Sequence, residues 1–144
     1  MRKEIGMETG ARSLNTAGDR KKRVLIVDDD PVMLRSVRIL LEERFEAVLS
    51  TSGAKAVPII EKKRPEVILL DYEMPECDGK QTLALIRERE DMKEIPVIFL
   101  TGLGDPEHLK SLASLTPFGY IIKPAGKEDL IEAIERALAG RAAG

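Results

Sequence analysis

Three carboxylates, Asp28, Asp29 and Asp30, follow directly on the apolar run Val24-Leu25-Ile26-Val27. Farther along, Asp71 follows the run "EVILL", Thr101 follows "PVIFL", and Lys123 closes "GYIIK". Adjacent like charges repel, and the repulsion grows where water is scarce. A cation among the carboxylates removes that cost. An oxygen-only ligand set selects a hard ion, and Mg²⁺ characteristically takes one or two carboxylates together with waters and phosphate oxygens. A carboxylate can also act as a covalent nucleophile toward a phosphoryl group, giving an acyl phosphate. The metal then offsets repulsion between the two anions. A lysine ammonium and a threonine hydroxyl suit the remaining phosphoryl oxygens. These residue types together point to metal-assisted phosphoryl transfer onto a carboxylate.

Such a site needs elements that bring distant residues to one edge. Five β-rich runs are spaced along the chain: "VLIV" (24–27), "EAVLS" (46–50), "EVILL" (66–70), "PVIFL" (96–100) and "GYIIK" (119–123). Most are continuously apolar, which suits a parallel sheet covered on both faces. Helix-like sequence follows each one. The expected fold is therefore α/β, a (βα)5 doubly wound five-stranded parallel sheet in the order 2-1-3-4-5. In that order the ligand-binding crevice lies beyond the carboxyl ends of strands 1 and 3, where Asp28, Asp29 and Asp71 stand.

The first helix starts at Pro31 with Asp30 as its cap, and Met33, Val37, Leu40 and Leu41 mark its inner face. The second covers about 53–63, where Pro58 calls for a late start or a kink. The third lies near 80–90 and buries Leu83 and Ile86. The fourth opens with Asp105 as cap and Pro106 in first position, turns Leu109, Leu112 and Leu115 inward, and ends at Pro117. The fifth runs from about Lys127 to Ala139, with Leu130, Ile131, Ile134 and Leu138 inward.

The chain has 144 residues and a net charge of −2, enough for one domain. Aromatics are only 3% against 43% apolar residues, so the core must be aliphatic. The charge is uneven. Residues 1–23 hold seven basic and three acidic residues, a balance of +4, which leaves −6 on the rest. An acidic body argues against direct nucleic-acid binding. Cys77 is the only cysteine, so no disulfide forms within the chain, in keeping with a reducing compartment. No apolar run approaches the ~18 residues that span a bilayer, and the N-terminus lacks the apolar region of a secretory signal. Residues 1–21 read as a disordered tail, with "RKKR" at 20–23 as a solvated lead-in, 22–140 as the folded domain and 141–144 as a short C-terminal tail. Either the chain stands alone and works by docking, or it is a fragment of something longer.

The "VDDD" cluster, "LLDYEMPECDG", "FLTG" and "YIIKP", in this order and approximate spacing, resemble the receiver domain of two-component response regulators across about residues 22–140. The resemblance implies a flavodoxin-like receiver fold and a cytoplasmic signalling module, not a conventional turnover enzyme. By position, it implies that Asp71 is the phosphoacceptor. Asp28 and Asp29 match the acidic metal-binding pair for Mg²⁺ or Mn²⁺, joined by Asp71 and the Glu73 backbone carbonyl. Thr101 and Lys123 match the phosphoryl-contacting hydroxyl and amine. Tyr120 matches the aromatic that switches rotamer with Thr101, and the Lys123–Pro124 bond is expected to be cis. The implied partners are a histidine kinase or phosphotransfer protein and a downstream protein target or homodimer, met through the face of helix 4, strand 5 and helix 5. The domain is expected neither to insert into membranes nor to bind nucleic acid directly. Two departures fall on that face. Ala125 stands where many relatives carry an aromatic, and "LTPFGY" replaces a Gly-Ala-containing loop.

Other readings are weaker. Asp28 and Asp30 form an Asp-x-Asp pattern like the nucleophile motif of haloacid-dehalogenase-type phosphatases, which makes an Mg²⁺-dependent phosphohydrolase using Asp28 the alternative function. Those enzymes usually carry a substrate-covering cap, for which this chain has no room. A flavin carrier of the same strand order would need a phosphate-cradling loop after strand 1, where this chain has acids. Asp30 fits a helix cap better than a ligand. His108, in the first turn of a surface helix, reads as solvated, and Cys77, with no histidine near it in sequence, is not a catalytic thiol.

Overall fold

The structure, a computed structural model, describes Leu14 and residues 20–143, the side chains of 141–143 excepted. The tail expected over residues 1–21 thus lies largely outside the described residues. Of its described part, Leu14 forms an antiparallel bridge with Arg20, and Lys21 Nζ donates to the Glu42 carbonyl at 2.7 Å.

Strands β1 (Arg23–Val27), β2 (Glu46–Ser50), β3 (Val67–Asp71), β4 (Val97–Thr101) and β5 (Gly119–Ile122) alternate with helices α1 (Pro31–Leu41), α2 (Gly53–Lys63), α3 (Gly79–Arg87), α4 (Pro106–Ala113) and α5 (Lys127–Ala143). All strands are parallel, in the order β2-β1-β3-β4-β5, as the sequence pattern requires. The continuously apolar β1, β3 and β4 are buried along their whole length. The edge strands β2 and β5 are only partly covered.

The pleat sends alternate side chains to opposite faces, so each central strand feeds two cores. Leu25, Val27, Ile68, Leu70, Val97 and Phe99 meet Ile60 of α2, Leu83 and Ile86 of α3, and Leu112 of α4. Val24, Ile26, Val67, Leu69, Ile98 and Leu100 meet Leu34, Val37 and Leu41 of α1 and Leu130 and Ile134 of α5. Apolar burial on both sides of one sheet is the main stabilising contribution and fixes where its carboxyl edge lies.

Several element ends depart from the sequence expectations. Arg23 is not part of a solvated lead-in. It begins β1, is 8% exposed, pairs with Glu46 Oε2 at 3.0 Å and donates to the Lys63 carbonyl at 2.7 Å. Helix α2 does not start late. Ser52 caps it by accepting from the Lys55 amide at 3.1 Å. Pro58 is tolerated because it and Ala54, whose carbonyl loses its donor, are both exposed. In α1, Leu34 rather than Met33 is buried. Helix α4 ends at Ala113, before Pro117, with Thr116 at φ 52° in the turn that follows. Helix α5 runs to Ala143, past Ala139, so the C-terminal tail expected over 141–144 is helical through residue 143.

Candidate functional site

The strand ends are pinned so that the polar residues meet at one edge. The Asp28 amide donates to the Ser50 carbonyl at 3.1 Å, extending the β1–β2 pairing by one residue. Asp28 Oδ1 accepts the Asp30 amide at 2.9 Å, which fixes the turn into α1. Asp30 caps that helix by accepting from the Val32 amide at 2.9 Å. The three adjacent acids thus divide their work: Asp30 is structural, while Asp28 and Asp29 face the crevice. The Tyr72 amide bonds to the Leu100 carbonyl at 2.8 Å and the Lys123 amide to the Thr101 carbonyl at 2.7 Å. These bonds hold the ends of β3, β4 and β5 level. The Lys123–Pro124 peptide is cis, as expected.

Carboxylate oxygens of Asp28, Asp29 and Asp71 lie within 4.8 Å of one another. Asp71 Oδ1 accepts from Lys123 Nζ at 2.7 Å. Asp28 and Asp71 are 4% and 2% exposed, whereas Asp29 is exposed. Burial, helped by the neighbouring Asp71 and Asp29 charges, raises the Asp28 pKa from 3.8 to about 6, although the Asp30 amide and Lys123 oppose the shift. Burial also raises Asp71, against the hydrogen bond and charge of Lys123. Burial works against the Lys123 ammonium, but its hydrogen bond to Asp71 and the carboxylates of Asp71, Asp28 and Glu73 carry its pKa upward. Crowded, half-desolvated oxygens with one ammonium among them form a donor set that fits a hard divalent cation.

Thr101 is fully buried, and the hydrogen bonds of its hydroxyl go to residues other than Asp71. It contacts Glu73 Oε2 at 2.6 Å and His108 Nε2 at 2.9 Å, and accepts the Leu103 amide at 3.2 Å. Glu73 Oε1 accepts the Gly102 amide at 2.9 Å. His108 is not the solvated residue that its place on a surface helix suggests. Its side chain is 14% exposed, and its ring packs edge-on against Tyr72 at 5.2 Å. The helix cap explains the placement, since Asp105 Oδ2 accepts the His108 amide at 3.1 Å and so seats the first turn of α4 beside the end of β4. Sequence reasoning also missed the Glu73 side chain, of which only the carbonyl was singled out. Tyr120 stands apart, 42% exposed near Leu103 and Ile122 in chain and sheet order, themselves 50% and 44% exposed.

A family model described as the response regulator receiver domain matches residues 24–135. The chain belongs to that family. Receiver domains are modules of two-component phosphorelay signalling that interact with histidine kinases and output domains, and signalling rather than turnover is their business. The phosphohydrolase alternative through Asp28 is accordingly not favoured. The chemotaxis protein CheY of Halobacterium salinarum is 34% identical over 118 residues, 81% of this receiver chain and 97% of CheY. The autoinducer sensor kinase/phosphatase CqsS of Vibrio cholerae is 31% identical over 79% of the chain, which spans 17% of that protein. A protein-glutamate methylesterase of Trichodesmium erythraeum is 38% identical, and the chain spans 35% of it. Two solved structures show the same architecture. Vibrio cholerae CheY4 superposes with a TM-score of 0.76 at 27% identity, covering 82% of this chain and 99% of that one. A receiver domain of a Syntrophus aciditrophicus histidine kinase gives 0.75 at 31% identity, covering 83% and 91%. Among the described residues of the receiver, no helix is long and apolar enough to cross a membrane.

Proposed function

We propose that this receiver takes a phosphoryl group from a histidine kinase or phosphotransfer protein onto Asp71. The observation that carries the reading is the position of Asp71: buried at the end of β3, paired with Lys123 at 2.7 Å and clustered with Asp28 and Asp29. Asp28, Asp29, Asp71 and the Glu73 carbonyl would hold Mg²⁺, or Mn²⁺ in its place. The ion's chemistry there is to neutralise charge between carboxylate and phosphoryl oxygens.

A carboxylate oxygen of Asp71 attacks phosphorus in line and forms the new P–O bond. The P–N bond to the donor imidazole breaks, and the leaving imidazole takes up a proton. Lys123 turns from the carboxylate to a phosphoryl oxygen, and the Thr101 hydroxyl donates to another through a charge-assisted hydrogen bond. Movement of Thr101 vacates space into which Tyr120 can rotate. Gly102, beside it, adds little steric resistance to a shift of that loop. The output surface is then the face of α4, β5 and α5, where exposed Leu103, Tyr120 and Ile122 lie, offered to a protein partner or a second copy in the cytoplasm.

Treatment with acetyl phosphate and Mg²⁺, borohydride reduction of the acyl phosphate and peptide mapping test the assignment. Modification is expected at Asp71. Modification at Asp28 would favour the phosphohydrolase chemistry instead.

A further inference from the structure

The Glu73 carboxylate spans two donors, the Thr101 hydroxyl at 2.6 Å and the Gly102 amide at 2.9 Å. A carboxylate only accepts, so the single hydroxyl hydrogen of Thr101 is committed to Glu73. His108 Nε2, 2.9 Å from the same oxygen, must therefore donate, as the Leu103 amide does at 3.2 Å. The hydroxyl gives one hydrogen bond and receives two, which leaves it no hydrogen for any other acceptor. Glu73 also lies close enough to the reacting centre for its charge to act on both Asp71 and Lys123.

We infer that Glu73 is a positioning residue that serves as an internal stand-in for the phosphoryl group, holding the Thr101 and Gly102 donors until an incoming phosphoryl displaces it. The inference rests on the phosphoacceptor reading above. Asp71 and Thr101 close the adjacent strands β3 and β4, so a phosphoryl group on Asp71 would compete with Glu73 for the same donors. To receive the Thr101 hydrogen it must break a short charge-assisted bond, and the Glu73 side chain, 37% exposed, can swing to water as it is released. His108 cannot follow, because its backbone is anchored to the Asp105 cap and its ring is packed on Tyr72. It stays behind to steady the Thr101 oxygen. Glu73 therefore raises the threshold for phosphorylation and for the accompanying movement of Thr101.

The test is an NMR titration of the full chain with beryllofluoride at fixed Mg²⁺, comparing the parent with Glu73→Ala and Glu73→Asp. Glu73→Ala is expected to bind the mimic roughly tenfold more tightly, the size of one charge-assisted hydrogen bond that no longer has to be broken. Glu73→Asp keeps the charge but is one methylene too short to bridge both donors, so it should move most of the way to Glu73→Ala. In the free proteins the Gly102 amide proton should shift upfield in both variants as its carboxylate acceptor is lost, while the tighter beryllofluoride midpoint is the readout that a purely structural role for Glu73 would not produce. Equal midpoints in the parent and Glu73→Ala overturn the inference. So does Glu73→Asp tracking the parent, since charge alone then explains the effect, and so does an unmoved Gly102 amide. A parent chain that ignores beryllofluoride, with Asp71→Asn no different, overturns the phosphoacceptor reading itself.

Discussion

Replacing Asp28 with asparagine should stabilise the metal-free protein at neutral pH, although it alters a buried residue at the heart of the site. The ionised Asp28 is held unfavourably, with its pKa raised from 3.8 to about 6. Between those values the folded protein keeps a proton that the unfolded chain has lost. Stability therefore falls as pH rises through that window, and the full cost is present above about pH 6. Some two units at ~1.4 kcal/mol each set a ceiling of about 3 kcal/mol. The site opens to water beside the exposed Asp29, which reduces this to roughly 1–2 kcal/mol. The carboxamide oxygen of the Asp28→Asn variant would still accept the Asp30 amide, so the turn into α1 survives the change. At ~2–4 °C per kcal/mol for a chain of this size, the variant should melt about 2–8 °C higher in chelator at pH 7. The gain should vanish near pH 4, where the carboxyl is protonated in the folded state. Saturating Mg²⁺ should reverse the order, because the parent gains a ligand that the variant has weakened. The assay is thermal unfolding across pH 4–8 with and without Mg²⁺. A variant less stable than the parent in chelator at pH 7, or a gap independent of pH, would show that the ionised Asp28 carboxylate does not destabilise the fold.

Asp30→Ala should cost about 1 kcal/mol through loss of the α1 cap and leave Mg²⁺ affinity unchanged within error, which calorimetry can check; a large loss of affinity would show that Asp30 is a ligand. Gly53→Ala should destabilise the fold by roughly 1–3 kcal/mol in denaturant titration. Its new Cβ would collide with Thr82 Oγ1 and press on the Cys77 carbonyl, and a neutral result would mean that the α2–α3 contact yields easily.

The sheet and most of the site were legible because they rest on short-range signals. Continuous apolar runs marked β1, β3 and β4, and the residue closing or following each fell at the carboxyl edge by the topology alone. Asp30 was readable as a cap because Pro31 follows it. What was not legible depends on side-chain reach across the fold. Glu73 and His108 are 35 positions apart in sequence, and only the levelled ends of β3 and β4 bring both to Thr101. The cap–Pro signal at 105–106 was the available clue, since it places the first turn of α4 at the strand edge. The inward turn of Arg23 to Glu46 is hidden in the sequence by the run of like charges around it. Met33 and Leu34 are hard to tell apart in sequence because a one-residue change in helical phase is small beside the width of an apolar face.

If Asp71 accepts the phosphoryl group with help from a metal held by its neighbours, intact mass spectrometry of the full chain after incubation with acetyl phosphate should report it, with Mg²⁺ or with chelator, in the parent and in Asp71→Asn. The expected result is a gain of a single phosphoryl group in the parent with Mg²⁺, and none in chelator or in Asp71→Asn. Equal phosphorylation of Asp71→Asn, or phosphorylation of the parent that is indifferent to Mg²⁺, would contradict it.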